Sequence, residues 1–349
     1  MRSYQVQEFG KPLVEAIREQ PVPVGPEVLL RVSGCGACHS DLHMRDGHFD
    51  LGKGNRLDLA RTVQPPRTLG HEITGTVVAC GPQAQGVAIG AHRLVYPWIG
   101  CGACALCAAG QEHLCTAPQA LGVARDGGFA THVLVPHPRY LLDFGDIPPT
   151  QACTLACAGL TAYSALKKVG RLAQGEPLLV VGAGGVGLSG VRLAAQVCGV
   201  APIVAEPDQA KWELARAAGA REVIDPRAEG AQKALLKATS GGAAAVVDFV
   251  GSASSFDFGM GSLRKGGRMV CVGLLGGATT IVPAMLSLKA ITLMGSYVGS
   301  LEELRELLAI AKQGAIPPMP VTTRDLRQAS EVLDELAAGR VRGRTVLLP

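Results

Sequence analysis

A chain of 349 residues is longer than one hydrophobic core usually serves, so two domains are the default. Hydrophobic residues make up 48% and charged residues 18%, with 45 glycines, which argues against a disordered or coiled-coil chain and suits buried parallel strands joined by tight turns. The net charge of +4 comes from scattered Lys and Arg and points to no nucleic-acid face, and the short basic run at residues 340–344 reads as a solvated turn.

The N-terminal residues carry no apolar core of signal-peptide length, and nowhere do about 18 apolar residues follow one another, so a soluble cytoplasmic protein without membrane contact is expected. Eleven cysteines could suggest a disulfide scaffold, but the number is odd and the chain is long. Their bunching at residues 101–107 suits a metal and reduced thiols better.

In chain order, residues 1 to about 150 are short β-rich pieces punctuated by turns, at 27–32, 73–78 and 130–135, which argues for a partly open, antiparallel barrel-like domain. Between the first two lies the stretch Gly34-Cys35-Gly36-Ala37-Cys38-His39-Ser40-Asp41-Leu42-His43, which packs thiol, hydroxyl, carboxylate and imidazole groups into ten residues. It has the look of half a catalytic metal site. The polar, Gly-rich stretch at 47–66 has no clear period and is expected to be a long loop, near the site, at a subunit contact or merely on the surface.

Cys101-x2-Cys104-x2-Cys107-x7-Cys115 supplies four thiolates on a Gly/Ala-rich loop able to wrap an ion. Tetrahedral zinc with four sulfurs is a closed, structural arrangement, and a four-Cys iron–sulfur cluster is the competing reading. Free thiols or disulfides would not need the regular spacing.

From Gly175 the pattern becomes strand and helix in alternation: strands at 177–181, 202–205, 243–250 and 268–273, helices at 186–198 and 209–218. That is the α/β pattern of a doubly wound parallel sheet. After residues 291–298 come two helical patterns, Leu301–Lys312 and 326–338, and a terminal apolar strand at 345–348. This last part is too short for a domain of its own and is expected to return to the first.

Gly182-x-Gly184-x-x-Gly187, spanning Gly185 and Val186, follows the apolar strand directly and opens a helix, so backbone N–H groups and the helix dipole can hold a pyrophosphate. Nineteen residues past Gly187 stands Glu206, at the end of the next strand, where a carboxylate can accept from both ribose hydroxyls of NAD and repel the extra phosphate of NADP. Otherwise it is an exposed strand-end acid. Lys211 adds a contact at the adenosine end or is an ordinary helix-surface lysine.

Cys38, His71 and Cys157 lie 33 and then 86 residues apart, and spacing alone does not assemble them. A lone Cys in an apolar run is usually a small core residue. A catalytic zinc, however, takes two Cys and one His and keeps a fourth position open for a substrate oxygen. Glu72 is then a transient ligand or a neighbouring base, and Asp41 can hold the His71 imidazole in its metal-binding tautomer.

The chain resembles the zinc-dependent medium-chain alcohol dehydrogenases over essentially its whole length. The matching pieces are residues 34–43, Gly70-His71-Glu72, the four-Cys lobe, Cys157-Ala158-Gly159-Leu160-Thr161 and the glycine loop. The resemblance implies a GroES-like β-rich catalytic domain (residues 1–150 and 296–349) and a Rossmann domain binding NAD (residues 151–295). It also implies one catalytic Zn2+ on Cys38, His71 and Cys157 with Glu72 nearby, one structural Zn2+ on Cys101, Cys104, Cys107 and Cys115, and a homo-oligomer, a tetramer before a dimer.

The implied reaction is reversible hydride transfer between an alcohol and NAD. Ser40 would take the hydroxyl proton and pass it through the cofactor ribose to His43, which releases it to solvent. Apart from the resemblance, Ser40 reads as a helix N-cap and His43 as a surface histidine. Phe49 and Trp98 stand where similar enzymes line the substrate pocket, although core packing explains them nearly as well. The expected substrates are primary or secondary alcohols, aromatic or cyclic ones included. Polyols fit less well, because polyol enzymes of the family commonly carry a carboxylate where Cys157 stands. A zinc-free reductase lacks the ligand set present here, a non-catalytic NAD-binding protein has no need of it, and a redox-sensing zinc protein would use the four-Cys lobe as its switch. Cys35, Cys80, Cys153, Cys198 and Cys271 are assigned no chemistry.

Overall fold

The structure, a computed structural model, describes residues 1–349. In the first part of the chain run β1 (Arg2–Val6), β2 (Val14–Ile17), β3 (Val28–Gly36), α1 (His39–Asp46), β4 (His48–Gly52), β5 (Asn55–Asp58), β6 (Arg67–Thr68), β7 (Glu72–Cys80), β8 (His92–Val95), α2 (Ala105–Ala108), β9 (His132–Val135) and β10 (Leu141–Leu142). The middle alternates α3 (Pro149–Ala152), α4 (Ala158–Val169), β11 (Leu178–Val181), α5 (Gly185–Cys198), β12 (Ile203–Ala205), α6 (Trp212–Ala217), β13 (Glu222–Ile224), α7 (Ala231–Ala238), β14 (Ala243–Asp248), α8 (Ala253–Gly261), β15 (Leu263–Cys271), α9 (Pro283–Lys289) and β16 (Thr292–Gly295). The chain finishes with α10 (Leu301–Lys312), β17 (Val321–Asp325), α11 (Ala329–Ala337) and β18 (Arg344–Leu348).

Two large sheets result. One has the order β10-β8-β7-β3-β18-β17 with β9 on β3, antiparallel except for the β17–β18 pair. The other has the order β13-β12-β11-β14-β15-β16 and is parallel throughout. Helices must cover both faces of a parallel sheet, so its central strands lose their alternation; every residue of β11 and β14 is buried. A single core of 57 buried side chains runs from Tyr4 to Leu347, so the two sheets share one apolar body.

Local signals account for the helices that matter most. α10 opens on Ser300, whose hydroxyl accepts from the Glu303 N–H while Glu303 returns the bond, and Leu304, Leu307 and Leu308 give it a buried face. The helix of the glycine loop begins at Gly185, as the motif requires. Gly187 is obligatory there, because an added Cβ would stand 2.0 Å from the Gly182 carbonyl oxygen.

The structure departs from the sequence reading in five places. Residues 47–66 are not one loop, for β4 and β5 form a hairpin turning through Lys53 and Gly54, both at positive φ. The helix expected at 209–218 starts as a 3-10 turn, Gln209–Lys211, before becoming α6, since Asp208 caps a tight first turn with its side chain. Leu326–Gln328 likewise forms a 3-10 turn ahead of α11. The basic run at 340–344 is a solvated turn only at its start: Arg340 and Arg342 are exposed, whereas Arg344 opens β18 and is 3% exposed. β15 also begins earlier than expected, at Leu263.

The β4–β5 hairpin leans on the loop after β15, and the contact is backbone against backbone. A Cβ on Gly52 would stand 2.5 Å from the Ala278 nitrogen, and one on Gly276, at φ +97°, would stand 2.5 Å from the Asp50 oxygen. Gly276→Val therefore cannot be accommodated without parting the two segments. Its melting temperature, followed by calorimetry, is expected several degrees below that of the parent; an unchanged value would show that the hairpin yields freely.

Candidate active site

Three short elements converge on one buried point. The end of β3 and the first turn of α1 bring Cys38, the residue before β7 brings His71, and the turn before α4 brings Cys157. Their ligand atoms all lie within 4.8 Å of one another, and all three residues are buried. Asp41, wholly buried, organises the first two. Its Oδ2 accepts from the Cys38 backbone N–H at 2.9 Å, making Cys38 the N-cap of α1. Its Oδ1 accepts from the Gly70 N–H at 3.1 Å and lies 3.1 Å from His71 Nδ1.

With Nδ1 engaged in this way, the free His71 nitrogen is Nε2, which is buried and without a hydrogen-bond partner. An orphaned imidazole nitrogen beside two thiols is the donor set of a divalent soft-to-borderline ion, and three donors leave a fourth position open. One thiol of the two is primed: the hydrogen bond with Cys157, together with His71, holds the Cys38 thiol well below its ordinary value although burial opposes this, while the same hydrogen bond and burial push the Cys157 thiol up.

Glu72 stands outside this cluster. Its Oε1 accepts from the Ala158 N–H at 3.1 Å and its Oε2 from Arg344, both partners being buried. Burial pushes the Glu72 carboxyl up to about 7 while the guanidinium of Arg344 pulls it down. Sequence reasoning missed Arg344; the signal was a cation opening an otherwise apolar strand. Its side chain also lies against the glycine loop, for a Cβ on Gly185 would stand 2.6 Å from Arg344 Cδ.

Ser40 and His43 lie one turn apart on α1, both partly exposed. Neither caps the helix. The His43 ring packs on Phe49 of β4 with centroids 4.6 Å apart, and burial lowers its pKa. Trp98 is buried 5.2 Å from the His71 ring, centroid to centroid, and is fixed by donation from Nε1 to the Ala156 oxygen at 3.1 Å. Tyr297, which the sequence did not single out, closes edge-on over Trp98 at 6.2 Å. It lines a cleft of about 770 Å3 with Val272, Leu274 and Ser296, at the C-terminal ends of β15 and β16.

The nucleotide loop follows β11. Gly182 takes φ +93°, and a Cβ on Gly184 would meet nothing, so the loop is open at the point where a phosphate group would approach. Glu206 directly follows β12 and is 4% exposed; its two carboxylate oxygens accept from the Ala183 and Asp208 N–H groups at 2.8 and 2.9 Å. These bonds fix the carboxylate at the strand end and leave it lone pairs to spare. Lys211 lies a short turn further on, 3.8 Å from Asp208.

The four remaining thiols stand apart from these. Cys104 Sγ is 3.5 Å from Cys107 Sγ and 3.8 Å from Cys115 Sγ, and Cys101 Sγ is 4.0 Å from Cys107 Sγ. A single ion with metal–sulfur bonds of about 2.3 Å gives a tetrahedron with edges of about 3.8 Å. An iron–sulfur cluster would spread its cysteines further apart. Backbone N–H groups of Ala103 and Cys104 pull the Cys101 thiol down to about 6. All eleven cysteines are free.

Residues 25–146 match the alcohol dehydrogenase GroES-like domain and residues 185–313 the zinc-binding dehydrogenase domain. NAD-dependent alcohol dehydrogenases of Sulfurisphaera tokodaii and Saccharolobus solfataricus are each 36% identical over 352 residues, covering 100% of this chain and of theirs. The chain belongs to the zinc-dependent medium-chain alcohol dehydrogenase family. Within this family, the crystal structure of the alcohol dehydrogenase from Aeropyrum pernix superposes with a TM-score of 0.90 at 31% identity, over 100% of both chains. The GroES-like part of the family corresponds here to the mainly antiparallel sheet, and the Rossmann part to the parallel one.

Arg344 is the residue whose loss isolates a buried charge. Arg344→Met is expected to cost about 3–5 kcal/mol, as removal of one partner of a buried pair does. Adding Glu72→Gln, which keeps an acceptor for Ala158, should restore most of it in a denaturant-unfolding cycle. Additive losses in the double variant would mean that the pair is not coupled.

Proposed function

We propose that the protein is an NAD-dependent alcohol dehydrogenase that moves a hydride reversibly between a primary or secondary alcohol, aromatic or cyclic ones included, and NAD, giving the aldehyde or ketone. The observation that carries this reading is the open three-donor cluster of Cys38, His71 and Cys157, with its unpartnered imidazole nitrogen, beside a nucleotide loop. Zinc held by these three residues would supply a Lewis acid with one free position, and NAD the hydride acceptor.

The chain's own residues do the rest. Gly182, Gly184, Gly185, Val186 and Gly187 bring backbone N–H groups to the pyrophosphate, and Arg344 behind Gly185 adds a fixed positive charge. Glu206 accepts from the adenosine ribose hydroxyls, with Lys211 beside it. Trp98, Phe49 and Tyr297 wall the reacting centre with aromatic surface and exclude water. Ser40 Oγ takes the hydroxyl proton, and the His43 ring, kept neutral by its lowered pKa, is ready to receive it and release it to solvent.

Glu72 acts as support, steering Ala158 and therefore the turn that carries Cys157. Cys101, Cys104, Cys107 and Cys115 bind a second, structural zinc, giving two ions per chain. The catalytic domain comprises residues 1–150 and 296–349, and the NAD-binding domain residues 151–295. The assembly is a homotetramer rather than a dimer. In support of self-association, Leu274, Leu275, Val282, Met285 and Leu288 are exposed beside the free edge of β16. The proposed compartment is the cytoplasm, which suits eleven free thiols, and no helix is long and apolar enough to cross a membrane.

The deciding experiment is the initial rate of NAD reduction by zinc-replete protein across primary, secondary, cyclic and aromatic alcohols. Cys38→Ala should abolish turnover while NADH still binds, and should lose one zinc per chain by atomic absorption. Cys104→Ala should lose the other and act through melting temperature instead, because a structural ion contributes folding free energy. A Cys38→Ala variant active near the parent rate would refute the site. Glu206→Gly should shift the NAD/NADP ratio of kcat/KM towards NADP by on the order of tenfold, and an unchanged ratio would make Glu206 a bystander.

A further inference from the structure

A second buried guanidinium, Arg192 on α5, has none of the compensation given to Arg344. The residue is 8% exposed, its Nε donates to the Pro317 oxygen at 2.5 Å, and no acid pairs with it; burial alone pushes its pKa down to about 10. No protein group accepts from its two terminal amino groups.

Those amino groups belong to a side chain lining a cavity of about 180 Å3, where α5 meets the segment entering α3 and the segment leaving α10. The other walls are mostly aliphatic: Ile147, Leu155, Ala311 and Ile316. Gln151 also lines the cavity, but its amide is consumed in both directions by the backbone of Met319, at 2.8 and 2.9 Å. The cavity therefore offers one planar, charged fork and otherwise hydrocarbon.

The terminal amino groups, unpartnered by protein and reaching the open side of this pocket, are free to take an anion, and the fork geometry of a guanidinium matches a carboxylate with two parallel hydrogen bonds. Phosphate and sulfate need more donors than a single fork gives, and chloride would leave the aliphatic walls unfilled. The space is that of a small organic anion rather than of a single ion. We propose that this cavity binds a short-chain aliphatic monocarboxylate, its carboxylate on the terminal amino groups of Arg192 and its alkyl tail among Ile147, Leu155, Ala311 and Ile316. A ligand there ties α5, which opens on the glycine loop, to both connections between the two sheets.

The test is isothermal titration of the full-length protein with sodium butyrate, with inorganic phosphate and sodium chloride titrated alongside at matched ionic strength. Saturable binding of butyrate is expected, weakened by about tenfold or more in Arg192→Met. Ala311→Leu, which fills the cavity and leaves the guanidinium in place, should weaken it as well and keeps the test valid if Arg192→Met fails to fold. Cys38→Ala, remote from this cavity, should bind butyrate as the parent does. The proposal is overturned if the parent does not bind butyrate, if phosphate or chloride binds as tightly, if Arg192→Met folds and binds unchanged, if Ala311→Leu binds unchanged, or if Cys38→Ala loses binding, which would place the carboxylate at the metal cluster.

Discussion

The rest of the site depends on one buried carboxylate. Asp41 receives the Cys38 N–H, the Gly70 N–H and the His71 ring, so a single side chain sets the start of α1, the entry to β7 and the tautomer of the imidazole. Three partners satisfy the oxygens of a wholly buried carboxylate, which would be costly to bury unpaired. The negative charge in turn makes the imidazole a better donor of electrons at Nε2. Two of the three clustered donors, Cys38 and His71, are thus placed by one residue's hydrogen bonding.

The third position is held differently. Cys157 sits in a turn whose next N–H is bound by Glu72, and Glu72 is held by Arg344 at the start of the last strand. Trp98 clamps the other side of that turn through the Ala156 carbonyl. The cluster is therefore braced from two directions by groups outside it, which is what keeps donors in place when no ion is bound. The four-Cys lobe needs less support. It is local in sequence, and backbone N–H groups donate directly to the Cys115 sulfur and pull the Cys101 thiol down.

The glycine loop and the four-Cys lobe were legible because each lies in one short stretch, where spacing is geometry. The parallel sheet was legible too, since runs such as residues 178–181 and 243–248 are buried on both faces and have no alternation to confuse. Cys38, His71 and Cys157 were not assembled by spacing, and it took the family resemblance to group them; what joins them in space is the Asp41 and Glu72–Arg344 bonding, which spans 272 positions at its widest. Arg344 was misjudged because its charge suggested solvent, and only tertiary contact tells a paired cation from a solvated one. The β4–β5 hairpin was hidden because β5 is exposed throughout and β4 only half-buried, so period-2 alternation has little to record. Arg192 carried no signal at all, being one cation in an apolar helix.

The position of β18 has a consequence for how the molecule is made. This strand lies between β3 and β17, so the sheet begun near the start of the chain is completed only by residues 344–348. The parallel sheet, by contrast, is drawn from the contiguous stretch 178–295 and can close as soon as that stretch leaves the ribosome. During synthesis β3 can pair with β7 and β9 early, but its Cys35–Gly36 end waits for β18, which also brings Arg344 to Glu72. Bracing of the turn that carries Cys157 therefore follows completion of the parallel sheet, and a chain cut before Arg344 would keep the nucleotide loop but leave Glu72 without its cation.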